Sequence, residues 1–296
     1  MGQKTFPQTT LNSAVSLAGR GLFTGCWTQL TLRPADLDTG VVFKIKDVIV
    51  PALHTNLLSA SGRNTVLGDG SKEGTIYCVE HLLSAIFGCG VTNLVIEMDA
   101  PEVPILDGSS KEFVEAIKAA GVVEQKAEIE PYELDSPCYW SSGNVHVIAL
   151  PSSELRYSYT LSYEDHPLLH SQFFSFPYTK KGVKFYENEI APARTFCLIE
   201  EAKALIAAKV VKGGGLECAV VIDGEKVINP EGLRYKDEMV RHKILDMVGD
   251  MSLIGRPVLA HFIGIRSGHE ANAAIVQMIM AKIQVAAENR EKGVCV

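Results

Sequence analysis

The spacing of apolar residues divides the chain into strand-like and helix-like stretches, and the same order occurs twice. Residues 9–67 carry short runs of β-forming residues between turn signals, which predicts successive strands. Helical spacing begins within 75–90, where glycines mark the end of the helix. A strand at 92–99 and a helix at 111–121 follow. The first part of the chain therefore ends in helix, strand and helix.

The second part repeats this plan after a polar, proline-containing segment. We take residues 127–137 as a linker between an N-terminal domain, 1–126, and a C-terminal domain, 138–287. Aromatic-rich strands come first, and a β-helix-β insert at 195–223 interrupts them before the final helix, strand and helix. The charged tail, 288–296, is expected to fray.

These patterns predict an α+β protein made of two related two-layer sandwiches. Each sandwich should contain a mostly antiparallel sheet with helices packed on one face. The sequences of the two halves show no detectable repeat, so their similarity is inferred from the order of elements alone.

Composition limits the classes of function. The formal net charge is -7, which argues against binding to nucleic acid and against an RNA-binding module. The seven cysteines form no CxxC pair, as expected for a reducing cytoplasm, and the first residues lack the apolar core of a signal peptide. Charged and polar residues interrupt the most apolar stretches, so we expect no transmembrane segment and a cytoplasmic location.

The helix predicted from about Asp237 carries a polar stripe. His242, Asp246 and Asp250 are spaced four residues apart, and each step advances only about 40° past a full turn. A histidine and a carboxylate one turn apart form a natural half of a metal site. The alternative is a surface pair worth only about 0.3–0.5 kcal/mol.

Glu80 and His81 open the first predicted helix. Alone they fit a carboxylate favoured by the helix dipole next to a packed histidine. Together with His242 and Asp246, His81 completes a set of three ligands that leaves a fourth position open, the pattern of catalytic zinc. Glu80 would then be the general base for a water on that metal.

A general acid is still needed, and His269 lies where a strand ends and a helix begins. Asp250 could accept a hydrogen bond from His269 and keep it cationic. Thr195 could donate a hydrogen bond to a developing oxyanion.

Five motifs, in this order and spacing, resemble the UDP-3-O-acyl-N-acetylglucosamine deacetylase family of lipid A biosynthesis. They are VEHLLSA, EMDAPEVPILDGSS, ARTF, DEMVRHKILDMVGD and RSGHEAN, and the resemblance extends over residues 8–284. It implies two α+β sandwiches with the active site between them, and hydrolysis of the N-acetyl group of a UDP-linked acylated amino sugar. It also implies the zinc ligands His81, His242 and Asp246, with iron(II) as an alternative metal.

The resemblance assigns further residues. Lys243 would contact polar groups of the substrate, and Phe196 would pack at its nucleotide end. The insert would form an apolar passage for the acyl chain, with a lining of Leu198, Ile199, Ala202, Leu205 and Ile206, although an ordinary packed helix would show the same spacing. We expect a monomer. The rival function is a non-catalytic protein that binds the same nucleotide-lipid, although pure binding needs no general base.

Two single positions and one short stretch depart from the family pattern. Phe23 stands where a histidine is common, and Cys197 replaces the usual glycine after ARTF. The stretch HEANAA, which begins at His269, is less typical than the family's leucine- and asparagine-rich version. We expect only local consequences from all three.

Overall fold

The first half of the chain is built on a five-stranded sheet with two helices beside it. A computed structural model describes residues 5–61, 63–164, 166–178 and 182–291. The elements of the first half are β1 (Phe6–Leu11), β2 (Val15–Arg20), β3 (Trp27–Pro34), β4 (Val41–Ile45), β5 (Val48–Pro51), β6 (Leu57–Ser59), β7 (Val66–Leu67), α1 (Glu80–Gly88), β8 (Leu94–Met98), α2 (Lys111–Ala120) and β9 (Val122–Ile129).

The second half is built on a six-stranded sheet and contains the insert. Its first elements are β10 (Tyr132–Glu133), β11 (Cys138–Ser142), β12 (Val145–Pro151), β13 (Leu155–Leu161), β14 (Gln172–Tyr178), α3 (Gly182–Phe185) and a π-helical turn (Tyr186–Ile190). They are followed by β15 (Phe196–Leu198), α4 (Ile199–Ala207), β16 (Val220–Asp223), β17 (Lys226–Val227), α5 (Glu238–Met251), β18 (Val258–Ile265) and α6 (His269–Glu291).

The two sheets share one strand order, which confirms the predicted α+β class. The first sheet runs β2-β3-β8-β4-β5, and the second runs β11-β12-β18-β13-β14. In each, the strand between the two helices lies in the centre, antiparallel to one neighbour and parallel to the other. The similarity inferred from element order is therefore a similarity of topology.

Helices α1 and α5 pack against each other where the two halves meet. The Ser84 hydroxyl on α1 donates a hydrogen bond of 2.7 Å to the carbonyl of Leu245 on α5. Gly249 allows the close approach, because a Cβ there would lie 2.2 Å from the Glu80 carbonyl oxygen. Both helices are almost entirely buried, so the chemistry-bearing side chains at their ends hold fixed positions.

The insert has the predicted β-helix-β form. Strand β15 pairs in parallel with β16, and α4 connects them. Helix α5 begins at Glu238, close to the predicted start, and α6 begins at His269, after a short connection from the strand that precedes it.

The segment predicted to link the halves is partly ordered as strand. Of residues 127–137, the first three continue β9, which pairs with β1, and Tyr132–Glu133 pairs with β18. The domain bounds 1–126 and 138–287 stay a prediction. Within the predicted tail, residues 288–291 end α6, and 292–296 lie outside the described residues. No helix in the described part of the chain is long and apolar enough to span a membrane.

Candidate active site

Three side chains from the two facing helices converge at the boundary between the halves. His81 is at the start of α1, and His242 and Asp246 lie one turn apart on α5. The Oδ1 atom of Asp246 is 3.5 Å from His81 Nε2 and 3.3 Å from His242 Nε2. All three residues are buried, and their donor atoms lie within 4.8 Å of one another. This group could hold a metal ion.

The hydrogen-bonding pattern of His81, His242 and Asp246 is compatible with a cation bound between them. Asp246 Oδ1 is buried and lacks a hydrogen-bond partner among the described residues, although a buried carboxylate oxygen is costly to leave unpaired. Its other oxygen accepts a 2.8 Å bond from Lys243 Nζ. The donors are two imidazole nitrogens and a carboxylate oxygen, all of which zinc accepts.

A backbone carbonyl fixes the orientation of His242. Its Nδ1 lies 3.0 Å from the Ala193 carbonyl oxygen, so Nδ1–H donates there and Nε2 is left as a lone-pair donor toward Asp246. Burial lowers the pKa of His242 to about 3, which keeps the ring neutral. The carbonyl is itself held in place, because the buried Arg194 donates 2.9 and 3.0 Å bonds from its Nε and backbone nitrogen to Glu238 at the start of α5.

Glu80 faces His269 beside the three donors. Glu80 Oε2 accepts a 2.9 Å bond from the Thr65 backbone nitrogen, while Oε1 is 3.9 Å from His269 Nε2. Burial raises the pKa of Glu80 above its ordinary value, an effect that the nearby histidines partly offset. A carboxylate with a raised pKa is a better proton acceptor near neutral pH.

Asp250 holds His269 from behind. Its Oδ2 lies 2.8 Å from His269 Nδ1 and accepts a 2.9 Å bond from Asn272 Nδ2, and its Oδ1 accepts a 2.7 Å bond from the Thr65 hydroxyl. Burial lowers the pKa of His269, but the Asp250 charge and hydrogen bond more than offset this and raise it to about 10. This raised pKa favours the cationic form of His269 at neutral pH.

Lys243, Thr195 and Phe196 line the cavity that opens above these groups. Lys243 is mostly buried and paired with Asp246. Burial lowers its pKa, but the Asp246 charge more than offsets this and the pKa lies above its ordinary value. Phe196 packs edge-on against the His242 ring, with centroids 6.5 Å apart, and also against Tyr163.

The cavity has a volume of about 710 Å³ and is lined on one side by the insert. Of the five predicted lining residues, Ala202, Leu205 and Ile206 line the cavity, whereas Leu198 and Ile199 are not among its described lining, and a role of the five in binding an acyl chain stays a prediction. Leu198 precedes α4 and packs against the core. The face of α4 that lines the cavity consists of Ala202, Leu205 and Ile206, which are spaced three and four residues apart.

Sequence reasoning missed several supporting residues. Thr65, Asn272 and the Ala193 carbonyl hold the catalytic candidates, and Arg63 pairs with Glu201 at 3.0 Å where the two halves border the cavity. Hydrogen bonds between residues far apart in the chain leave no spacing signal in one sequence.

Glu102 was also missed. It is buried, and it accepts 2.7 Å bonds from the backbone nitrogens of Phe23 and Thr24. The two single-residue departures from the family pattern, Phe23 and Cys197, both line the cavity. Glu102 therefore fixes the part of the cavity wall that Phe23 contributes.

The fold and donor set define a protein of two related sandwiches with a metal-type site between them. The profile of the LpxC family, UDP-3-O-acyl N-acetylglycosamine deacetylase, matches residues 8–281. The UDP-3-O-acyl-N-acetylglucosamine deacetylase of Myxococcus xanthus is 39% identical over 285 residues, which is 95% of this chain and 88% of that protein. The Chlamydia felis protein of the same name is 38% identical over 280 residues, 94% of this chain and 98% of its own.

A third relative, from Leptospira biflexa and also of that name, is 35% identical over 285 residues, 95% of this chain and 92% of its own length. The chain belongs to the UDP-3-O-acyl-N-acetylglucosamine deacetylase family.

Proposed function

We propose that this chain is a zinc-dependent deacetylase that hydrolyses the N-acetyl amide of a UDP-3-O-acyl-N-acetylglucosamine. The products would be acetate and the free amine, and the reaction is the committed step of lipid A biosynthesis. The observation that carries the proposal is the facing pair of Glu80 Oε1 and His269 Nε2, 3.9 Å apart and beside the three donors. A protein that only bound this ligand would need no opposed base and acid.

His81, His242 and Asp246 would hold the metal. A zinc ion held there would supply Lewis-acid polarisation of the amide carbonyl and would lower the pKa of a water molecule to roughly 7. Iron(II) suits the same two histidines and carboxylate, so it is the alternative metal. The unpaired Oδ1 of Asp246 supports a cation at this point.

Glu80 and His269 divide the proton transfers. The Glu80 carboxylate takes a proton from the attacking water, helped by its raised pKa. The cationic His269 stabilises the negative charge that develops on the amide oxygen and supplies a proton as the amine leaves. Asp250 keeps His269 oriented and charged through the 2.8 Å contact. Thr195 lies in the cavity wall and assists at the oxyanion.

Substrate groups are assigned to three parts of the cavity. Lys243 contacts polar groups of the sugar close to the reacting amide, and Phe196 packs toward the nucleotide end. The acyl chain lies along the apolar face formed by Ala202, Leu205 and Ile206. The active unit would be a monomer. The cysteines among the described residues are free, which fits action in the cytoplasm.

Acetate release from the acylated UDP-sugar tests the proposal. We expect release by the metal-loaded protein, its loss after treatment with a chelator, and its return when zinc is restored. The result that would overturn the proposal is tight binding of the UDP-sugar by the metal-loaded protein without acetate release, because the rival non-catalytic function predicts that pattern.

A further inference from the structure

The outer end of the insert differs in charge from the rest of the protein. Residues 202–216, here called the insert tip, have the sequence AKALIAAKVVKGGGL. The tip contains Lys203, Lys209 and Lys212 and has neither aspartate nor glutamate, whereas the whole chain has a formal net charge of -7. Within these bounds the formal charge is +3, while Glu200 and Glu201 precede the tip and Glu217 follows it.

The same tip exposes large apolar side chains. Ile206 is 57% exposed, Val210 43% and Leu216 40%. Lys203, Lys209 and Lys212 are exposed beside them. Exposed apolar side chains flanked by lysines are the composition of elements that lie in the interface of an anionic bilayer.

Backbone contacts hold the tip in a defined position against the first half of the chain. The Leu22 carbonyl oxygen accepts 3.0 Å bonds from the backbone nitrogens of both Lys212 and Gly213. The approach is so close that a Cβ on Gly213 would lie 2.1 Å from the Gly21 carbonyl oxygen. The apolar and basic side chains are therefore presented by an anchored segment.

The active-site cavity opens at this tip. Ile206 and Leu216 line the cavity and are also exposed at the surface. Leu205 and Val211 continue the apolar lining inward. The cavity therefore connects the catalytic groups to the exposed apolar surface of the tip.

We propose that the insert tip docks on the surface of an anionic phospholipid bilayer. The charge of the tip is complementary to anionic headgroups, and each lysine near such a surface strengthens binding roughly fivefold. Ile206, Val210 and Leu216 would enter the boundary between headgroups and acyl chains. A second copy of this chain is a poorer partner for the tip, because two such tips would bring six lysines together.

Docking in this orientation places the cavity mouth against the bilayer. On the proposed function, the acyl chain of substrate or product would then pass between cavity and membrane without crossing water. The docking itself needs no substrate, so it is tested separately from the activity.

The test is co-sedimentation of the full chain with lipid vesicles, without substrate. We expect binding to vesicles of phosphatidylcholine with about one quarter phosphatidylglycerol, weaker binding to pure phosphatidylcholine, and a decrease as salt is raised. Lys203→Glu and Val210→Glu should each weaken binding to the anionic vesicles about fivefold or more. Neither residue lines the cavity, so acetate release from substrate in detergent-free solution should be unchanged.

Matched controls carry the same changes elsewhere. Lys126→Glu reverses an exposed charge on β9, and Ile49→Glu places a charge at a 60% exposed apolar position on β5. Both should bind vesicles like the wild type. The proposal is overturned if the wild type binds neither vesicle, or if the controls weaken binding as much as the tip variants. The proposal is also overturned if the wild type self-associates without binding vesicles and Val210→Glu abolishes that self-association. The tip would then be a contact between copies of this chain.

Discussion

Gly249 on α5 lies directly against the backbone carbonyl of Glu80 on α1. A Cβ at position 249 would be 2.2 Å from that oxygen, well inside contact distance. The general-base candidate Glu80 thus lies on α1, and the metal-ligand candidates His242 and Asp246 lie on α5. Because Gly249 has no side chain, the two helices can approach closely, and this approach sets the distance between the two groups of residues.

Gly249→Ala adds only one methyl group, but it should lower both the stability of the fold and the kcat for acetate release. The two helices must separate to admit the methyl group, and overpacking of this kind typically costs about 1–3 kcal/mol in the free energy of unfolding. A shift of about 1 Å between catalytic groups can lower the rate roughly a hundredfold. Urea denaturation and the kcat for acetate release check the two effects. Wild-type values for both would show that the contact does not set the site.

Glu80→Gln should lower kcat by about 10²–10⁴-fold, the range typical of one acid–base group. The amide can still accept the bond from the Thr65 nitrogen, so the metal content should not change. Because burial raises the pKa of Glu80, the acid limb of the wild-type pH–rate profile should lie above the ordinary glutamate value and vanish in the variant.

Glu112→Gln is the matched control for that substitution. Glu112 also lies in the first turn of a helix, α2, but outside the cavity lining, so its activity should remain that of the wild type. Near-wild-type acetate release by Glu80→Gln would show that another group is the base.

Asp250→Asn should move the alkaline limb of the pH–rate profile to lower pH. Asp250 is the main cause that raises the pKa of His269 to about 10, and without its charge the lowering effect of burial is less opposed. Since the cationic form of His269 is the active one, activity is lost as pH rises through that pKa. The profile of kcat/KM measures the shift, and an unchanged alkaline limb would show that Asp250 does not control His269.

The same pair predicts how stability varies with pH. A pKa raised on folding contributes stability that is fully present below about pH 6.5 and is lost as pH rises through about 10. Asp250→Asn should flatten this dependence.

Ala202→Phe should shift selectivity toward short acyl chains. Ala202 lies on the face of α4 that lines the cavity, and a larger side chain there narrows the apolar passage. We expect kcat/KM to fall more for a long-chain substrate than for a short-chain one. Ile199→Ala is the control, because position 199 is outside the lining and should leave the preference unchanged. Equal effects of the two substitutions would contradict this assignment.

Helical spacing explains how much of the site the sequence could predict. The four-residue steps between His242, Asp246 and Asp250 lie on one helix, so their common face follows from the helix alone. The lining of the cavity by the insert depends on which way α4 faces. The predicted residues Ala202, Leu205 and Ile206 line the cavity, whereas Leu198 and Ile199 are not among its described lining.

Contacts between residues far apart in the chain could not be predicted in this way. Thr65 and Asn272 reach Asp250 from 185 and 22 residues away along the chain, respectively, and the Ala193 carbonyl reaches His242 from 49 residues away. Such contacts depend on how the two halves pack and not on a local period.

The metal content of purified chains tests the central claim most directly. Elemental analysis should find one metal ion per chain in the wild type and in His146→Ala, whose histidine lies in β12 and bonds to Tyr139 away from the site. His242→Ala should contain almost none and release no acetate, because it removes one of the three converging donors. A His242→Ala chain that still held one tightly bound zinc ion would contradict the account.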